Sequence, residues 1–438
     1  MKIYSIIRKN MKKLVLFLML CIASVASRAQ GGDVKGDWSG KLSVSGREIT
    51  LVFHLDGENS TMDSPDQGAK GIPAKSESTG TGIKVSVPSL NASYEGVIKG
   101  ESIEGTFRQN GLSFPMNLKP GVVMRNRPQT PVPPYPYQEQ EVNFSNGDAV
   151  LKGTLVLPEH YTRNTPVLLM VTGSGLQNRD EEIFEHKPFA VIADALARQG
   201  IATLRYDDRG FGESTGDLVN FTTEDLKNDA LAGVELLRRQ FQHVGIIGHS
   251  EGGTIALMLA AEGKVDFVVS LAGNIISGEK TLLEQNRWAL EQAGYSQDVT
   301  DRYCTALKNL FDELKAGRNP ELTDHGLPQG FEQNLQLVKA QSSTPYMRYF
   351  LALDLTDRLG KITCPVLALN GTKDRQVNCE ENLNALRNGL AGQHEIKAIE
   401  GVNHLFQHCN TGNSTEYKDI EETIAPEVLE IIATWLKK

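Results

Sequence analysis

The sequence predicts a mostly parallel, doubly wound α/β sheet with a helical cap, preceded by a small antiparallel β-domain. Three observations predict it. From Val142 onward, apolar strand candidates alternate with helical stretches, the pattern of a sheet covered on both faces. Residues 276–360 break that rhythm with helical spacing and no convincing strand. Residues 33–122 carry short alternating runs punctuated by turns, with no helical period. A chain of 438 residues has room for two or three such domains.

Taken in chain order, residues 1–13 hold Lys2, Arg8, Lys9, Lys12 and Lys13 and no acid, and an apolar run from Leu14 to Ala26 follows. Ser27-Arg28-Ala29 then supplies small residues at the −3 and −1 positions of a cut after Ala29, the layout of a secretory signal peptide. The run is shorter than the ~20 residues of a spanning helix, and Leu20 before Cys21 argues against a lipid anchor. The expectation is an exported protein, periplasmic or extracellular, with no stable membrane insertion. Without residues 1–29, which carry six basic and no acidic residues, the net charge of −9 becomes −15. An acidic chain with no Lys/Arg cluster is a poor nucleic-acid binder.

In the β-domain the strand candidates are Lys41–Val44, Thr50–His54, Ile83–Val87, Ala92–Ile98, Ser102–Thr106 and Ser113–Leu118. Turn signals such as Asp56-Gly57 and Asn110-Gly111 separate them, which reads as a small barrel or sandwich over 33–122. Pro128, Pro131, Pro133, Pro134 and Pro136 then predict an extended linker over 123–141. Beyond it lie strand candidates Ala149–Leu157, Val167–Thr172, Ile201–Tyr206, Val244–Gly248, Phe267–Leu271, Val366–Asn370 and His394–Ile399. Helical stretches at Phe189–Arg198, Thr223–Arg239, Thr254–Ala261, Asn382–Leu390 and Ala425–Leu436 alternate with them. The cap, with Gly278–Gln292 and Val299–Lys315 at helical spacing, would lie over the C-terminal edge of the sheet, where ligands enter such folds.

The strongest chemical signal is Gly248-His249-Ser250-Glu251-Gly252-Gly253, between an apolar strand and a helical stretch. Glycines flank the serine because a sharp strand-to-helix turn strains its backbone and leaves no room for neighbouring side chains. A serine hydroxyl needs a base, and His404 in Gly401–Phe406 follows the last strand at the right station, with His408 as competitor. His249 and His54 read as structural or solvated. Asp374 in Asn370–Val377, at the end of another strand, is the expected carboxylate, whereas Asp354 and Asp357 read as helix-surface charges. Backbone N–H groups of Glu251 and Ser174 are expected to form an oxyanion hole. Asp208 and Arg209 in Tyr206–Ser214 are expected to hold the loops around the site; the Glu251 side chain reads as pairing with Arg209, with catalytic involvement as the alternative. If the loops after Asp374 and His404 meet, a Cys379–Cys409 disulfide becomes geometrically allowed; two unpaired thiols are equally compatible. No cysteine or histidine spacing suggests a metal, and no cofactor motif is present.

On Thr172–Asp180, Tyr206–Ser214, Gly248–Gly253, Gly371–Val377 and Asn403–Gln407, residues 142–438 resemble the α/β-hydrolase superfamily. The likeness is to bacterial carboxylesterases with prolyl-oligopeptidase-like and dienelactone-hydrolase-like relatives. Gly36–Gly40 and Asp63–Gly68 resemble the accessory β-domain that precedes some secreted hydrolases. The resemblance implies cleavage of a small-molecule ester through an acyl-enzyme, with Ser250, Asp374 and His404 as triad. Thr172 stands where many members carry His, which alters the loop's packing but not its backbone donors. The rival expectations are a serine peptidase or amidase with the same triad, and a catalytically silent envelope binding protein.

Overall fold

The computed structural model describes residues 34–438 apart from 45, 46, 68, 123, 124, 323–325 and 329, and it divides into two units at Arg125/Asn126. The expected signal peptide lies outside the described residues.

In the first unit nine strands run β1 (Gly36–Val44), β2 (Arg47–Leu55), β3 (Thr61–Ser64), β4 (Ala69–Pro73), β5 (Lys75–Ser78), β6 (Gly82–Val87), β7 (Ala92–Lys99), β8 (Ser102–Gln109) and β9 (Leu112–Pro120). They pair antiparallel in the order β4-β3-β2-β1-β9-β8-β7-β6-β5. Both halves face one core, since Leu42, Phe53 and Met62 pack in the same cluster as Ile83, Tyr94, Ile103 and Met116. Tyr94 is buried there and its hydroxyl donates to the carbonyls of Ile103 and Met116. That ring fits because Gly105 carries no side chain; a Cβ there would lie 2.5 Å from the Tyr94 oxygen.

The second unit is an eight-stranded sheet. Its strands are β10 (Tyr137–Asn146), β11 (Ala149–Pro158), β12 (Val167–Val171), β13 (Ala202–Tyr206), β14 (Val244–His249), β15 (Val268–Leu271), β16 (Val366–Gly371) and β17 (His394–Ile399). The order is β10-β11-β13-β12-β14-β15-β16-β17, antiparallel over the first three strands and parallel thereafter. Successive residues of β12 point to opposite faces: Val167, Leu169 and Val171 join one core, Leu168 and Met170 the other. Helices α1 (Pro188–Ala197), α2 (Thr223–Arg238) and α3 (Glu251–Ala261) alternate with the strands. The α1 helix covers one face, and α2 and α3 cover the other.

The interruption after β15 contains α4 (Gly278–Gln292), α5 (Gln297–Lys315), α6 (Phe331–Ser342) and α7 (Pro345–Ala352). These four helices share a separate core around Leu307, Leu310, Phe311 and Leu351. Ser277, Ser296 and Thr344 cap α4, α5 and α7 by accepting from N3 amides, and Pro345 sits in the first turn of α7. Leu355 and Leu359, still inside the expected cap, pack instead into the main core. Two further helices, α8 (Cys379–Gly389) and α9 (Pro426–Trp435), complete the layers.

One sequence expectation needs correction. The extended linker was expected to run to residue 141, but Tyr137–Asn146 pair residue for residue with Ala149–Pro158 as β10. The proline segment before it is also held down. Arg127 donates to the carbonyls of Phe184, Lys418 and Ile420, and Gln129 exchanges hydrogen bonds with Thr423 and Ile424. Side chains supply these anchors because prolines lack the amide that a ladder would use.

Candidate active site

Ser250, Asp374 and His404 each sit in the turn or loop beyond the C-terminal end of a parallel strand. Ser250 stands between β14 and α3 with φ +53° and ψ −120°, a conformation that costs on the order of 1–3 kcal/mol. Close packing imposes the turn. A Cβ on Gly252 would lie 2.0 Å from the Val171 carbonyl oxygen, and one on Gly248 2.1 Å from that of Gly252. Ser250 therefore tops the centre of the sheet, at the start of α3.

Asp374 follows β16. Its Oδ1 accepts from the amides of Gln376 (2.7 Å) and Val377 (2.9 Å), and its Oδ2 lies 2.7 Å from His404 Nδ1. A carboxylate fixed in this way keeps the proton of His404 on Nδ1 and leaves Nε2 as an acceptor. His404 follows β17 and is buried with Asp374. Ser250 and His404 line one cavity of about 360 Å³, together with Ser174, Glu251, Leu282, Tyr346, Phe350 and Leu405. The cap helices α4 and α7 thus furnish part of the wall.

The other candidates do not converge there. His408 is half exposed, its ring between Glu422 and Glu427. Asp354 accepts from Thr356 and Asp357 is exposed. His54 lies in the first unit between Asp37 and Asp63.

Both residues expected to supply backbone donors to an oxyanion line this cavity. Glu251 opens α3, where the first amides have no partner within the helix, and Ser174 lies in the loop after β12. Asp208 holds that loop. It accepts from the Thr172 hydroxyl and the Gln177 amide, each at 2.8 Å, and burial pushes its carboxyl up to about 8. Thr172, where a histidine was the commoner choice, thereby gains a structural use.

One expectation is corrected. Arg209 does not pair with Glu251; its guanidinium makes two 2.7 Å bonds to Asp229 and braces α2 rather than the site. Glu251 accepts from the hydroxyls of Thr223 (2.6 Å), Tyr346 and Ser174. Burial raises its carboxyl above the usual range despite those three donors. Of the two alternatives left open for Cys379 and Cys409, the structure has free thiols, their sulfurs facing different backbone carbonyls, those of Asn370 and Gly401.

Sequence reasoning passed over Glu181, Tyr346 and the partners of His249. Glu181 is buried and accepts from the Gly173 amide (2.7 Å) and from His249 (2.9 Å). In the sequence it stands in a run of acids, Asp180-Glu181-Glu182, that reads as surface. Tyr346 comes from the cap, where nothing but its place in an aromatic stretch marks it.

The fold and this site define a serine hydrolase of the α/β-hydrolase fold. Residues 146–410 match the family of X-Pro dipeptidyl-peptidases (S15 family), more than half of the chain, and the chain belongs to that family. It is also similar to Esterase EstD of Thermotoga maritima, 27% identical over 315 residues that make up 70% of this chain and 69% of the relative. Among solved structures, the α/β hydrolase GrgF from Penicillium sp. superposes with a TM-score of 0.44 at 18% identity, covering 68% of this chain and 98% of that one. Pyrococcus furiosus esterase Pf2001 gives a TM-score of 0.42 at 15% identity, covering 72% and 98%.

Proposed function

We propose that the chain hydrolyses neutral carboxylic esters through an acyl-enzyme on Ser250. The observation that carries this reading is the buried 2.7 Å Asp374–His404 pair, whose His404 lines one cavity with Ser250. His404 Nε2 takes the Ser250 proton as Oγ attacks the ester carbonyl, and the amides of Glu251 and Ser174 hold the oxyanion. Asp374 holds the imidazolium that forms. The tetrahedral intermediate collapses as His404 returns the proton to the departing alcohol. Water, deprotonated by the same histidine, then attacks the acyl-enzyme and releases the acid. Each step uses only this chain's groups and water.

Charge bookkeeping supports ester over peptide. Among the described residues lining the cavity, the carboxyl groups are Glu181 and Glu251, and there is no Lys or Arg. Glu181 is committed to His249 and Gly173, and Glu251 is enclosed by hydroxyl donors. Neither is available to anchor the ammonium of a peptide N-terminus. The relative named as an esterase agrees with this reading, while the family description favours a second reading, peptide cleavage after a short N-terminal segment. One assay separates them: p-nitrophenyl esters from acetate to laurate beside aminoacyl p-nitroanilides, with wild type and Ser250→Ala. Ester turnover that vanishes in the variant, with anilides untouched, is the expected result; dominant anilide cleavage would favour the peptidase. Export with cleavage after Ala29 belongs to the same proposal and is tested by N-terminal sequencing of the protein outside the cytoplasm. Among the described residues no helix is long and apolar enough to cross a membrane.

A further inference from the structure

His249, next to the serine in sequence, is placed by three loops at once. Its Nδ1 lies 2.9 Å from Glu181 Oε1, and its Nε2 lies 2.9 Å from the backbone carbonyl of His404. The same Glu181 oxygen accepts the Gly173 amide at 2.7 Å, in the loop that carries Ser174. The imidazole rings of His249 and His404 are 4.7 Å apart, and Gly173 is so tightly enclosed that a Cβ would meet Ser250 Cβ at 3.2 Å and Glu181 at 3.3 Å. Histidine and glutamate are both almost completely buried, at 6% and 4% exposure, although each also borders the cavity.

A carbonyl oxygen has no proton to give, so Nε2 must donate to it. A carboxylate likewise only accepts, so Nδ1 must donate too. Neutral imidazole has one N–H and cannot satisfy both. We propose that His249 is a buried imidazolium, paired with the Glu181 carboxylate, which acts as a positioning residue: it locks the oxyanion loop and the His404 loop onto the nucleophile turn. The inference rests on the catalytic reading of Ser250 and His404.

The groups facing the ring agree with a positive charge. Glu181 approaches from the loop after β12, Asp374 from the loop after β16, and the His404 carbonyl from the loop after β17; Phe406 adds an uncharged edge. Burial works against ionisation, yet these partners outweigh it and raise the ring's proton affinity above that of an ordinary histidine. When the ring does lose its proton at alkaline pH, a lone pair faces either the carboxylate or the carbonyl, and one tie breaks.

Glu181→Gln removes the charge while sparing most of the bonds. A glutamine carbonyl placed where Oε1 stands still accepts the Gly173 amide and one N–H of a neutral ring, and the other ring nitrogen then loses its tie. Two of the three ties persist, without a titration. The test has two arms on the full chain. In the first, ¹⁵N-histidine labelling and two-bond ¹H–¹⁵N correlation at pH 7.5 read the ring directly, with His249 assigned by the signals lost in His249→Phe. Both nitrogens are expected to be protonated in wild type and a single one in Glu181→Gln. In the second, kcat and KM for a p-nitrophenyl ester are followed against pH. His249→Phe is expected to lose on the order of 10²-fold in kcat, with KM within about threefold, since small misplacements of catalytic groups cost that much. Glu181→Gln is expected to lose no more than about tenfold in kcat and to lack the alkaline fall seen in wild type. A wild-type ring protonated on one nitrogen overturns the proposal, as does a His249→Phe enzyme of undiminished kcat. If His249→Phe fails to fold, the Glu181→Gln spectrum and pH profile still decide it. Residual activity in Ser250→Ala would instead overturn the catalytic reading, and the ring's protonation state would stand apart from that result.

Discussion

At the scale of single residues, the site works by leaving few protons in doubt. Asp374 receives two amides and the His404 ring, so its orientation is fixed by geometry rather than by charge alone. Asp374→Asn keeps the shape but favours the wrong tautomer, and should lower kcat by on the order of 10⁴-fold in ester turnover. Asp208 offers a pH test. Its folded carboxyl titrates at about 8, well above the unfolded value, so the folded state holds a proton that the unfolded state has already released. Its contribution therefore favours folding most at low pH and is lost as pH rises from about 4 to about 8, by at most about 1.4 kcal/mol per pH unit. Asp208→Asn removes that dependence. Urea denaturation at pH 5 and at pH 7 should show the variant gaining on wild type at the higher pH; an unchanged difference would contradict the assignment.

At the scale of elements, the strand-to-helix turn and the cap carry the function. Gly252→Ala drives a methyl into the Val171 carbonyl, and the turn must shift or the fold must loosen, at a cost of about 1–3 kcal/mol in denaturation midpoint measurements. Tyr346 ties α7 to Glu251, so Tyr346→Phe should lower kcat/KM by about tenfold and cost about 1–3 kcal/mol of stability in urea denaturation, because a buried carboxyl loses a donor. The parallel strands were legible because burial on both faces makes them continuous apolar runs, as in Val167–Val171. The edge strand β10 was not: Gln138, Glu139, Gln140 and Glu141 are all exposed, and the nearby prolines pointed to a linker. In the first unit β3, β4 and β5 were missed because they are short and polar, as Lys75–Ser78 shows. Ser250, Asp374 and His404 were legible because each lies where a strand meets its loop. Glu181 and Tyr346 were not, since their partners lie 68 and 95 residues away and no local pattern announces a tertiary hydrogen bond.

At the scale of the whole molecule, two units have separate cores: one around Phe53 and Tyr94, the others on the two faces of the β10–β17 sheet and in the cap. A cut at 125/126 crosses none of them. Residues 126–438 expressed alone should therefore unfold cooperatively, and calorimetry of the longer chain should resolve a second transition belonging to the β-domain. The free thiols of Cys379 and Cys409 predict that reductant leaves both transitions in place. The central claim is that Ser250 is the nucleophile of a neutral-ester hydrolase, and its most direct test is covalent. A fluorophosphonate, an uncharged mimic of the tetrahedral intermediate, should inactivate the enzyme with one label per chain, mapped by mass spectrometry to Ser250 and blocked in advance by His404→Ala. Labelling elsewhere, or inactivation without a label on Ser250, would contradict it.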